Sequence, residues 1–159
     1  MLNLNPKASG GGELLARVLT PERVFVLDET TKDAALKCLI GILADSPGVK
    51  DREALAEAVF KREALMSTGI GLGLAVPHVR LPSVTTLSMA IGIAPDGIDD
   101  YAALDDKPVY LIFLIGAPEG QHTEYLQLLA AISSRAKARG DQLRAIRDPA
   151  AFYSALLED

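Results

Sequence analysis

The chain has 159 residues, of which 49% are hydrophobic and 23% are charged, and its formal net charge is −5 at pH 7. This length predicts one domain with its own buried core, and the acidic balance with scattered basic residues argues against nucleic acid and anionic membranes as partners. A single cysteine, Cys38 in an apolar run, excludes a disulfide scaffold, and no apolar stretch reaches the ~18 residues of a membrane helix. We therefore expect a cytoplasmic protein that does not insert into a membrane, with Cys38 as a buried thiol.

The N-terminal half of the sequence predicts a tail followed by a strand and helices. Residues 1–13 contain Asn, Pro, Ser and three consecutive glycines, which is typical of a flexible tail, so we expect the folded domain over residues 14–159. Hydrophobic periodicity and capping residues define the elements that follow. In order, these are a short helical or irregular segment (14–19), an edge strand (24–27), a helix from Thr30 or Thr31 to about Asp45 and a helix from Asp51 to about Leu65.

The C-terminal half predicts strands in the middle of the chain and helices after them. Residues 87–94 alternate between large apolar and small side chains, which indicates a strand, and residues 109–115 are almost continuously apolar, which indicates a central strand covered on both faces. Three helices are expected afterwards: about 123–138, a short helix from Asp141, and a last helix from Asp148-Pro149 to Leu157. Helices on either side of a group of strands predict a single-domain α/β sandwich with a small mixed β-sheet flanked by helices.

The most unusual stretch is residues 67–80, with the sequence STGIGLGLAVPHVR. Its glycines have the spacing G-x-G-x-G and precede an apolar run, whereas the dinucleotide fingerprint G-x-G-x-x-G follows a strand, so nucleotide binding is disfavoured. A zinc hydrolase is disfavoured because the two histidines, His78 and His122, are not at a metal-binding spacing. A serine hydrolase is disfavoured because the chain has no G-x-S-x-G motif.

The chemistry of this stretch centres on His78. It follows a proline at the expected C-terminal end of a short apolar strand (72–76), where open α/β sheets often place ligands. An accessible imidazole has a nitrogen that can attack phosphorus, and a guanidinium such as that of Arg80 can neutralise the phosphoryl oxygens. These residue types suit a phosphoryl-accepting histidine, but composition alone favours a surface or half-buried histidine with a backbone hydrogen bond, and both interpretations stay open at this point.

Residues 62–80 (REALMSTGIGLGLAVPHVR) resemble the signature of phosphotransferase-system enzyme IIA domains of type 2, which comprises the mannitol, fructose and nitrogen-regulatory proteins. Other short segments agree with this family, and the similarity covers about residues 14–157. These segments are Gly97-Ile98-Asp99, Asp106-Lys107-Pro108-Val109, Ala117-Pro118 and residues 124–129 (EYLQLL).

The resemblance implies a fold, an activity and partners. Family members are mixed α/β sandwiches that accept a phosphoryl group from the phosphocarrier protein HPr on the histidine of an A-[IV]-P-H motif, here His78. Sugar-transport members pass the group to a IIB domain, whereas nitrogen-regulatory members are often stand-alone proteins that bind regulatory target proteins according to their phosphorylation state. We expect a bacterial signal-transduction protein of the nitrogen-regulatory kind, with a phosphohistidine intermediate and without a cofactor or metal. A sugar-specific component that passes the phosphoryl group to a IIB domain is an alternative.

The resemblance also assigns site residues around His78. The arginine of the family's R-E pair corresponds to Arg62, which is expected to hold the phosphoryl group and to contribute more than Arg80. The family usually has a second histidine at the start of the helix after the central strand, but Tyr125 occupies that position. His122 lies three residues earlier, and two interpretations stay open: a solvated residue at the helix start, or a replacement for the missing histidine that orients the phosphoryl oxygens.

The presence of Tyr125 at this position affects the expected function. A phenol supplies no positive charge at neutral pH, so onward transfer is expected to suffer more than phosphoryl capture. A degenerate domain that binds a partner without being phosphorylated is therefore a second hypothesis, and an unrelated hydrolase on a similar sandwich is a third. Among the neighbours, Glu63 is expected to be a structural acid or to fix Arg62, and Asp105 and Asp106 are expected to be solvated turn residues.

Overall fold

The computed structural model describes residues 6–158 of the chain, which form five α-helices, a short 3-10 helix and six strands. The helices are α1 (Pro6–Val18), α2 (Lys32–Ala44), α3 (Arg52–Leu65), α4 (His122–Ala145) and α5 (Pro149–Leu157), and the 3-10 helix is Pro21–Arg23. The strands are β1 (Val24–Val26), β2 (Gly69–Gly71), β3 (Leu74–Ala75), β4 (His78–Arg80), β5 (Ser88–Ile98) and β6 (Val109–Ala117). No helix in this part of the chain is long and apolar enough to cross a membrane.

Three helices begin at the capping residues that the sequence predicts. Thr31 Oγ1 accepts a hydrogen bond from the backbone N–H three residues later at the start of α2. The carboxylates of Asp51 and Asp148 do the same at the starts of α3 and α5, at 3.0 Å and 2.9 Å. Each bond satisfies one of the N–H groups that the first turn of a helix leaves without a backbone partner.

The six strands form one mixed sheet in the order β1-β5-β6-β3-β2, and β4 also pairs with β6. β5 and β6 are antiparallel, while β1 is parallel to β5, and both β3 and β4 are parallel to β6. β3 pairs with the first part of β6, where Leu74 lies opposite Leu111, and β4 pairs with its last part, where His78 lies opposite Ile115. The central strand therefore places His78 beside its own C-terminal end.

Helices cover both faces of the sheet, and each face has its own apolar core. Helices α1, α4 and α5 pack on one face, and α2 and α3 pack on the other, because alternate residues of β5 and β6 point to opposite faces. The first core includes Leu15, Phe113, Ile132 and Phe152, and the second includes Leu36, Leu55, Ile112 and Leu114. The predicted α/β sandwich with a small mixed sheet flanked by helices is confirmed, as are the edge position of β1 and the central position of β6.

Two expectations about local structure differ from what is observed. The predicted tail over residues 1–13 overlaps α1, which begins at Pro6 and packs against α4 and α5, while residues 1–5 lie outside the described residues. His78 is not the end of an apolar strand, because β3 stops at Ala75 and His78 opens the separate strand β4. Pro77 marks the end of the first strand in the sequence, but the start of a new strand at His78 depends on its pairing with β6.

One helix boundary is confirmed and one burial expectation is wrong. The helix expected to end near residue 138 and the helix expected from Asp141 are the two parts of α4, which a kink at Arg139 separates, where φ is −140°. Cys38 is partly exposed and not buried, because the α2 side chains that are buried against the sheet are Ala35, Leu36, Leu39, Ile40 and Leu43.

Candidate functional site

The two ring nitrogens of His78 have different environments. Nδ1 lies 2.6 Å from the carbonyl oxygen of Val76. A carbonyl oxygen only accepts hydrogen bonds, so Nδ1 carries a proton and donates it. In the neutral ring, Nε2 is then the unprotonated nitrogen, with a lone pair available for nucleophilic attack. The side chain is only partly buried, so a reaction partner can reach it.

The backbone around His78 is held by neighbouring segments. The N–H of Val76 donates to the carbonyl oxygen of Thr68 at 3.1 Å, and the carbonyl oxygen of Pro77 accepts from the N–H of Ile115 at 2.9 Å. The pyrrolidine ring of Pro77 also fixes its own φ. The carbonyl that accepts from Nδ1 therefore belongs to a restrained segment, and this orients the imidazole before any partner binds.

Tyr125 lies against His78, and Arg80 and His122 lie against Tyr125; we call these four residues the His78 cluster. The ring centroid of Tyr125 lies 5.6 Å from that of His78 and 6.5 Å from that of His122. The guanidinium carbon of Arg80 lies 5.6 Å from the Tyr125 ring centroid, and its Nη1 lies 2.9 Å from Nδ1 of His122. Tyr125 is 7% exposed, whereas Arg80 and His122 are exposed, so the cluster combines a buried aromatic ring with accessible basic groups.

The periodicities of β4 and α4 account for the cluster. Side chains two residues apart share one face of a strand, so His78 and Arg80 lie on one side of β4 while Val79 is buried on the other. Side chains three residues apart share one face of a helix, which places His122 beside Tyr125 in the first turn of α4. Because β6 pairs with β4 and leads into α4, the central strand brings these two pairs into contact.

Arg62 lies at the end of α3, near the cluster. Its Nη1 donates to the carbonyl oxygen of Met66, 2.8 Å away at the C-terminal end of the helix. Burial raises the pKa of the Tyr125 phenol, and the positive charges of Arg80 and Arg62 partly oppose this shift. Both arginines therefore lie within electrostatic range of Tyr125, whose phenol remains a neutral hydrogen-bond donor at neutral pH. Of the four predicted site residues, His78, His122 and Tyr125 are in one cluster, and Arg62 lies beside it.

A buried hydrogen-bond network holds the segment between α3 and β2. Glu63, which is 7% exposed, accepts from the N–H and the hydroxyl of Thr68 and pairs with Nζ of Lys32 at 2.9 Å. Because the Thr68 hydroxyl donates to Glu63, it accepts from the hydroxyl of Tyr101, 2.8 Å away. Burial, and then the charge of Glu63, raise the pKa of Tyr101, so its hydroxyl remains a donor. Glu63 is therefore a structural acid, and the sequence analysis did not identify Lys32 or Tyr101 as its partners.

The glycines of the G-x-G-x-G segment are required by the β2-β3 hairpin. A Cβ atom on Gly69 would lie 2.2 Å from the carbonyl oxygen of Ala102, so no other residue fits there without a backbone shift. Gly71 and Gly73 have φ values of 93° and 77°, in the region that favours glycine. Hairpin geometry therefore accounts for the glycine pattern without a bound nucleotide.

Asp105 closes the same hairpin from a neighbouring loop. Its carboxylate accepts from the N–H of Leu72 at 3.1 Å and from the N–H of Lys107 at 3.2 Å. Leu72 has a φ of 59°, an uncommon conformation for a residue with a branched side chain, so its N–H benefits from a fixed partner. The backbone hydrogen bonds, that of Lys107 first, lower the pKa of the Asp105 carboxyl. Asp105 is exposed, as expected, but it has this specific role in the turn.

The His78 cluster is an open surface site. Two shallow cavities in the described part of the chain lie elsewhere, one lined by residues 26–30 and 94–97 and the other by residues 20, 22, 23, 42 and 45–47. Within residues 6–158, no group of three or more His, Cys, Asp and Glu side chains is placed to hold a metal ion. His78 is partly buried and Arg80 and His122 are exposed, so the cluster is accessible from the surface.

The chain matches the family model described as "Phosphoenolpyruvate-dependent sugar phosphotransferase system, EIIA 2" over residues 17–159. The nitrogen regulatory protein of Bradyrhizobium diazoefficiens is 34% identical over 142 residues, which are 87% of this chain and 92% of that relative. The fructose-specific EIIA component of Haloferax volcanii is 35% identical over 117 residues, which are 72% of this chain and 75% of that relative. The fructose-specific EIIABC component of Bacillus subtilis is 35% identical over 108 residues, and the chain spans 17% of its length.

Solved structures share the fold. The crystal structure of the nitrogen regulatory protein IIA-Ntr from Neisseria meningitidis has a TM-score of 0.78 at 24% identity, and the match covers 91% of this chain and 97% of that chain. The complex of enzyme IIAMTL and phosphorylated enzyme IIBMTL from Escherichia coli matches with a TM-score of 0.65 at 20% identity, over 86% of this chain and 96% of that chain. At these identities the likeness concerns the fold, and it confirms the fold that the resemblance of residues 62–80 implies.

Proposed function

Because the chain belongs to the EIIA 2 family of the phosphoenolpyruvate-dependent sugar phosphotransferase system, we propose that it accepts a phosphoryl group on Nε2 of His78 from a phosphorylated carrier protein of the HPr type. The observation that carries this proposal is the hydrogen bond from Nδ1 of His78 to the carbonyl oxygen of Val76, 2.6 Å away. This bond holds the proton on one nitrogen and leaves the other as the nucleophile. The donor is the one that the family implies.

The reaction is an exchange of one N–P bond for another. The lone pair on Nε2 of His78 attacks the phosphorus of the carrier's phosphohistidine, whose other ring nitrogen is protonated. The N–P bond of the carrier breaks, and its electron pair returns to that ring, which leaves as a neutral imidazole. The proton on Nδ1 of His78 stays in the hydrogen bond to Val76, so the product ring carries both this proton and the phosphoryl group, and no separate base is needed. Positioning and electrostatic stabilisation then supply most of the catalysis, as is usual for phosphoryl transfer.

Positive charge near His78 favours the product. A phosphoryl group on a protein carries close to two negative charges at neutral pH, and donors aimed at its oxygens stabilise the transfer. Arg80 and Arg62 both lie within electrostatic range of Tyr125, whose ring lies 5.6 Å from that of His78. We assign these two guanidinium groups and the Tyr125 hydroxyl as the groups that hold the phosphoryl oxygens.

The proposed role is regulatory, through protein partners that distinguish the phosphorylated from the unphosphorylated chain. Two observations support it. The alignment with the Bradyrhizobium nitrogen regulatory protein spans most of both chains. Tyr125 lies where the family usually has a second histidine, and a phenol cannot supply the positive charge that a migrating phosphoryl group needs. Slow onward transfer would leave the phosphorylated state long-lived enough to act as a signal.

A sugar-specific component is the second candidate function. Its support is the similarity to the Haloferax fructose-specific EIIA component, which is as high as that to the nitrogen regulatory protein. In this function the phosphoryl group on His78 would pass to a IIB domain. The two functions differ in one measurable quantity, the rate of onward transfer.

Phosphoryl uptake is tested by intact-mass spectrometry after incubation with a phosphorylated HPr-type carrier. We expect a mass increase of one phosphoryl group that is lost in acid and retained in alkali, because phosphoramidates are acid-labile. His78→Ala should abolish the increase, and His122→Ala should still show it at a reduced rate. Uptake by His78→Ala would disprove the assignment, and no uptake by the wild type would leave the chain as a binding domain that is not phosphorylated.

Onward transfer is tested by adding a IIB acceptor to the phosphorylated chain. The wild type is expected to transfer more slowly than it accepts, and Tyr125→His is expected to raise the transfer rate about 10-fold or more, since one fixed donor to a developing charge contributes at least this much. Tyr125→Phe is the matched variant that keeps the ring and adds no charge. If the wild type transfers as fast as it accepts and Tyr125→His changes neither rate, the sugar-specific function replaces the regulatory one.

A further inference from the structure

Within the His78 cluster, a hydrogen bond joins the last residue of β4 to the first residue of α4. Nη1 of Arg80 lies 2.9 Å from Nδ1 of His122. A guanidinium has donors and no acceptor, so Nδ1 of His122 accepts this bond and is unprotonated. The proton of the neutral His122 ring is then on Nε2. Because Nδ1 of His78 carries its proton, the two histidines of the chain are expected to be opposite tautomers.

The hydrogen bond to His122 orients the guanidinium of Arg80 but does not neutralise its positive charge. Among the described residues, no carboxylate lies within ion-pair distance of its guanidinium, whose contacts are Nδ1 of His122 and the Tyr125 ring. Glu124, the acid next to Tyr125 in the sequence, pairs with Arg17 of α1 at 2.7 Å. A neutral acceptor therefore orients Arg80 and leaves its full positive charge for an anion.

We propose that His122 is a positioning residue of the phosphoryl site: the neutral ring holds the guanidinium of Arg80 beside His78, and protonation of the ring releases it. This inference rests on the proposed function, because it explains how one cation of that site is placed. Protonation of Nδ1 removes the acceptor and adds a second positive charge next to Arg80. The charged and titratable groups that contact His122 are Arg80 from β4 and Tyr125 from α4. His78 from β4 and Arg62 from α3 interact with the same Tyr125 side chain.

A direct role for His122 would have different consequences. A cationic His122 that itself contacts the phosphoryl oxygens would work best when protonated, and its contribution would not depend on Arg80. A positioning role predicts that His122 works best when its ring is neutral and that its contribution depends on Arg80. The two roles can therefore be separated by variants and by pH.

The first measurement is the rate of phosphoryl uptake by His78 in four proteins: the wild type, Arg80→Ala, His122→Ala and the double variant. Two donors are used, a phosphorylated HPr-type carrier and phosphoramidate, whose N–P bond breaks with release of ammonia. The small donor removes any effect on protein docking. We expect His122→Ala to slow uptake about 10-fold from both donors, the lower end of the effect of one hydrogen bond to a charged group, because Arg80 and His122 are exposed. In the Arg80→Ala background, the same substitution should have no further effect.

The matched variant is His122→Asn. Its Oδ1 replaces Nδ1 as the acceptor and does not titrate, so the uptake rate at neutral pH should stay within about twofold of the wild type. As pH falls, the ratio of the wild-type rate to the His122→Asn rate should decrease, because only the wild type loses its acceptor.

A second measurement does not depend on phosphoryl transfer. Long-range proton–nitrogen NMR spectra of the histidine rings should show the Nδ1–H tautomer for His78 and the Nε2–H tautomer for His122. Arg80→Ala should shift the His122 tautomer equilibrium and leave that of His78 unchanged.

Four outcomes would overturn the inference. Three of them concern uptake: folded His122→Ala takes up the phosphoryl group as fast as the wild type, the two substitutions have additive effects in the double variant, or His122→Asn is as slow as His122→Ala. The fourth is an Nδ1–H tautomer for His122 in the NMR spectra. If the wild type takes up no phosphoryl group from either donor, the proposed function fails and this inference fails with it. If the wild type is phosphorylated and only the His122 variants behave otherwise than expected, the proposed function stands and the inference alone is wrong.

Discussion

At the scale of single residues, the protonation of the site follows from which groups can only donate and which can only accept. The carbonyl of Val76 can only accept, so it assigns the proton on Nδ1 of His78. The guanidinium of Arg80 can only donate, so it assigns the lone pair on Nδ1 of His122. Heavy-atom positions therefore leave the free lone pair of the neutral His78 ring on Nε2, the nitrogen that the proposed function uses as the nucleophile.

Lysine substitution of Arg62 and Arg80 compares the two cations. Arg62→Lys is expected to lower phosphoryl uptake about 10- to 150-fold, because an ammonium cannot reproduce the planar pair of donors of a guanidinium in a charge-assisted hydrogen bond. Arg80→Lys is expected to lower it less, because Arg80 is exposed and its charge is retained. The measurement is the uptake rate from a phosphorylated carrier, with circular dichroism to verify folding. An unchanged rate for Arg62→Lys, or a larger loss for Arg80→Lys, would contradict the prediction that Arg62 contributes more than Arg80 to phosphoryl uptake.

At the scale of secondary-structure elements, buried polar contacts join segments that are distant in the sequence. Glu63 at the end of α3 pairs with Lys32 at the start of α2, and through Thr68 it connects to Tyr101 in the loop between β5 and β6. These contacts fix where the β2-β3 hairpin begins, and Thr68 in turn accepts the N–H of Val76. The network therefore supports the segment that orients His78.

Removing the charge of Glu63 tests this network. Glu63→Gln is expected to lower the free energy of unfolding by about 2–3 kcal/mol, because Lys32 loses its charged partner in a largely buried setting. Lys37→Gln is the matched control: it breaks the exposed pair between Lys37 and Asp33 on α2, and its effect should stay below about 0.5 kcal/mol. Urea unfolding measures both. A loss for Glu63→Gln no larger than that for Lys37→Gln would show that the network contributes little.

Asp105 gives the hairpin a pH-dependent contribution. Its carboxyl has a lower pKa in the folded chain than in the unfolded chain, so its stabilising effect is complete above the unfolded value and is lost as pH falls through the folded value. Asp105→Ala should lower the urea midpoint at pH 7, and the difference from the wild type should disappear in strong acid. Asp105→Asn accepts a hydrogen bond and does not titrate. Its urea midpoint should therefore exceed that of Asp105→Ala at pH 7 and in acid. A difference between wild type and Asp105→Ala that persists in acid would contradict this role.

At the scale of the whole molecule, one sheet separates two apolar cores and brings the site together at one end of its central strand. Helices α1, α4 and α5 share the first core, and α2 and α3 share the second. Both cores include residues of β5 and β6, so the loss of either core weakens the same sheet. We therefore expect the described domain to unfold in one transition.

The place of α1 in the domain is tested by Leu15→Ala. Leu15 is fully buried, so its truncation should lower the free energy of unfolding by about 2–5 kcal/mol, with one shared transition in fluorescence and circular dichroism. Leu65→Ala is the control, since Leu65 is 80% exposed and its truncation should change stability by less than about 0.5 kcal/mol. Equal effects of the two substitutions would mean that α1 is not part of the cooperative unit.

Elements whose signals are local are predictable from the sequence. The N-caps of α3 and α5, Asp51 and Asp148, and that of α2 to within one residue (Thr31) are examples, because a capping side chain and the N–H from which it accepts are three residues apart. The continuous apolar run of β6 similarly predicts a strand covered on both faces. The A-V-P-H motif singles out His78, since a motif is also a local pattern. The resemblance of residues 124–129 to the family likewise indicates that Tyr125 lies where the second histidine is usual.

Contacts between residues that are distant in the sequence depend on the tertiary fold. Arg80 and His122 are 42 positions apart, and their hydrogen bond exists because β6 pairs with β4 and then leads into α4. The partners of Glu63 come from α2 and from the loop before β6, and the break between β3 and β4 follows the register of β6. Periodicity and capping act over about four residues, so they carry no information on such contacts. The packing of helices on both faces of one sheet brings these residues together, and with them the second histidine beside the site of His78.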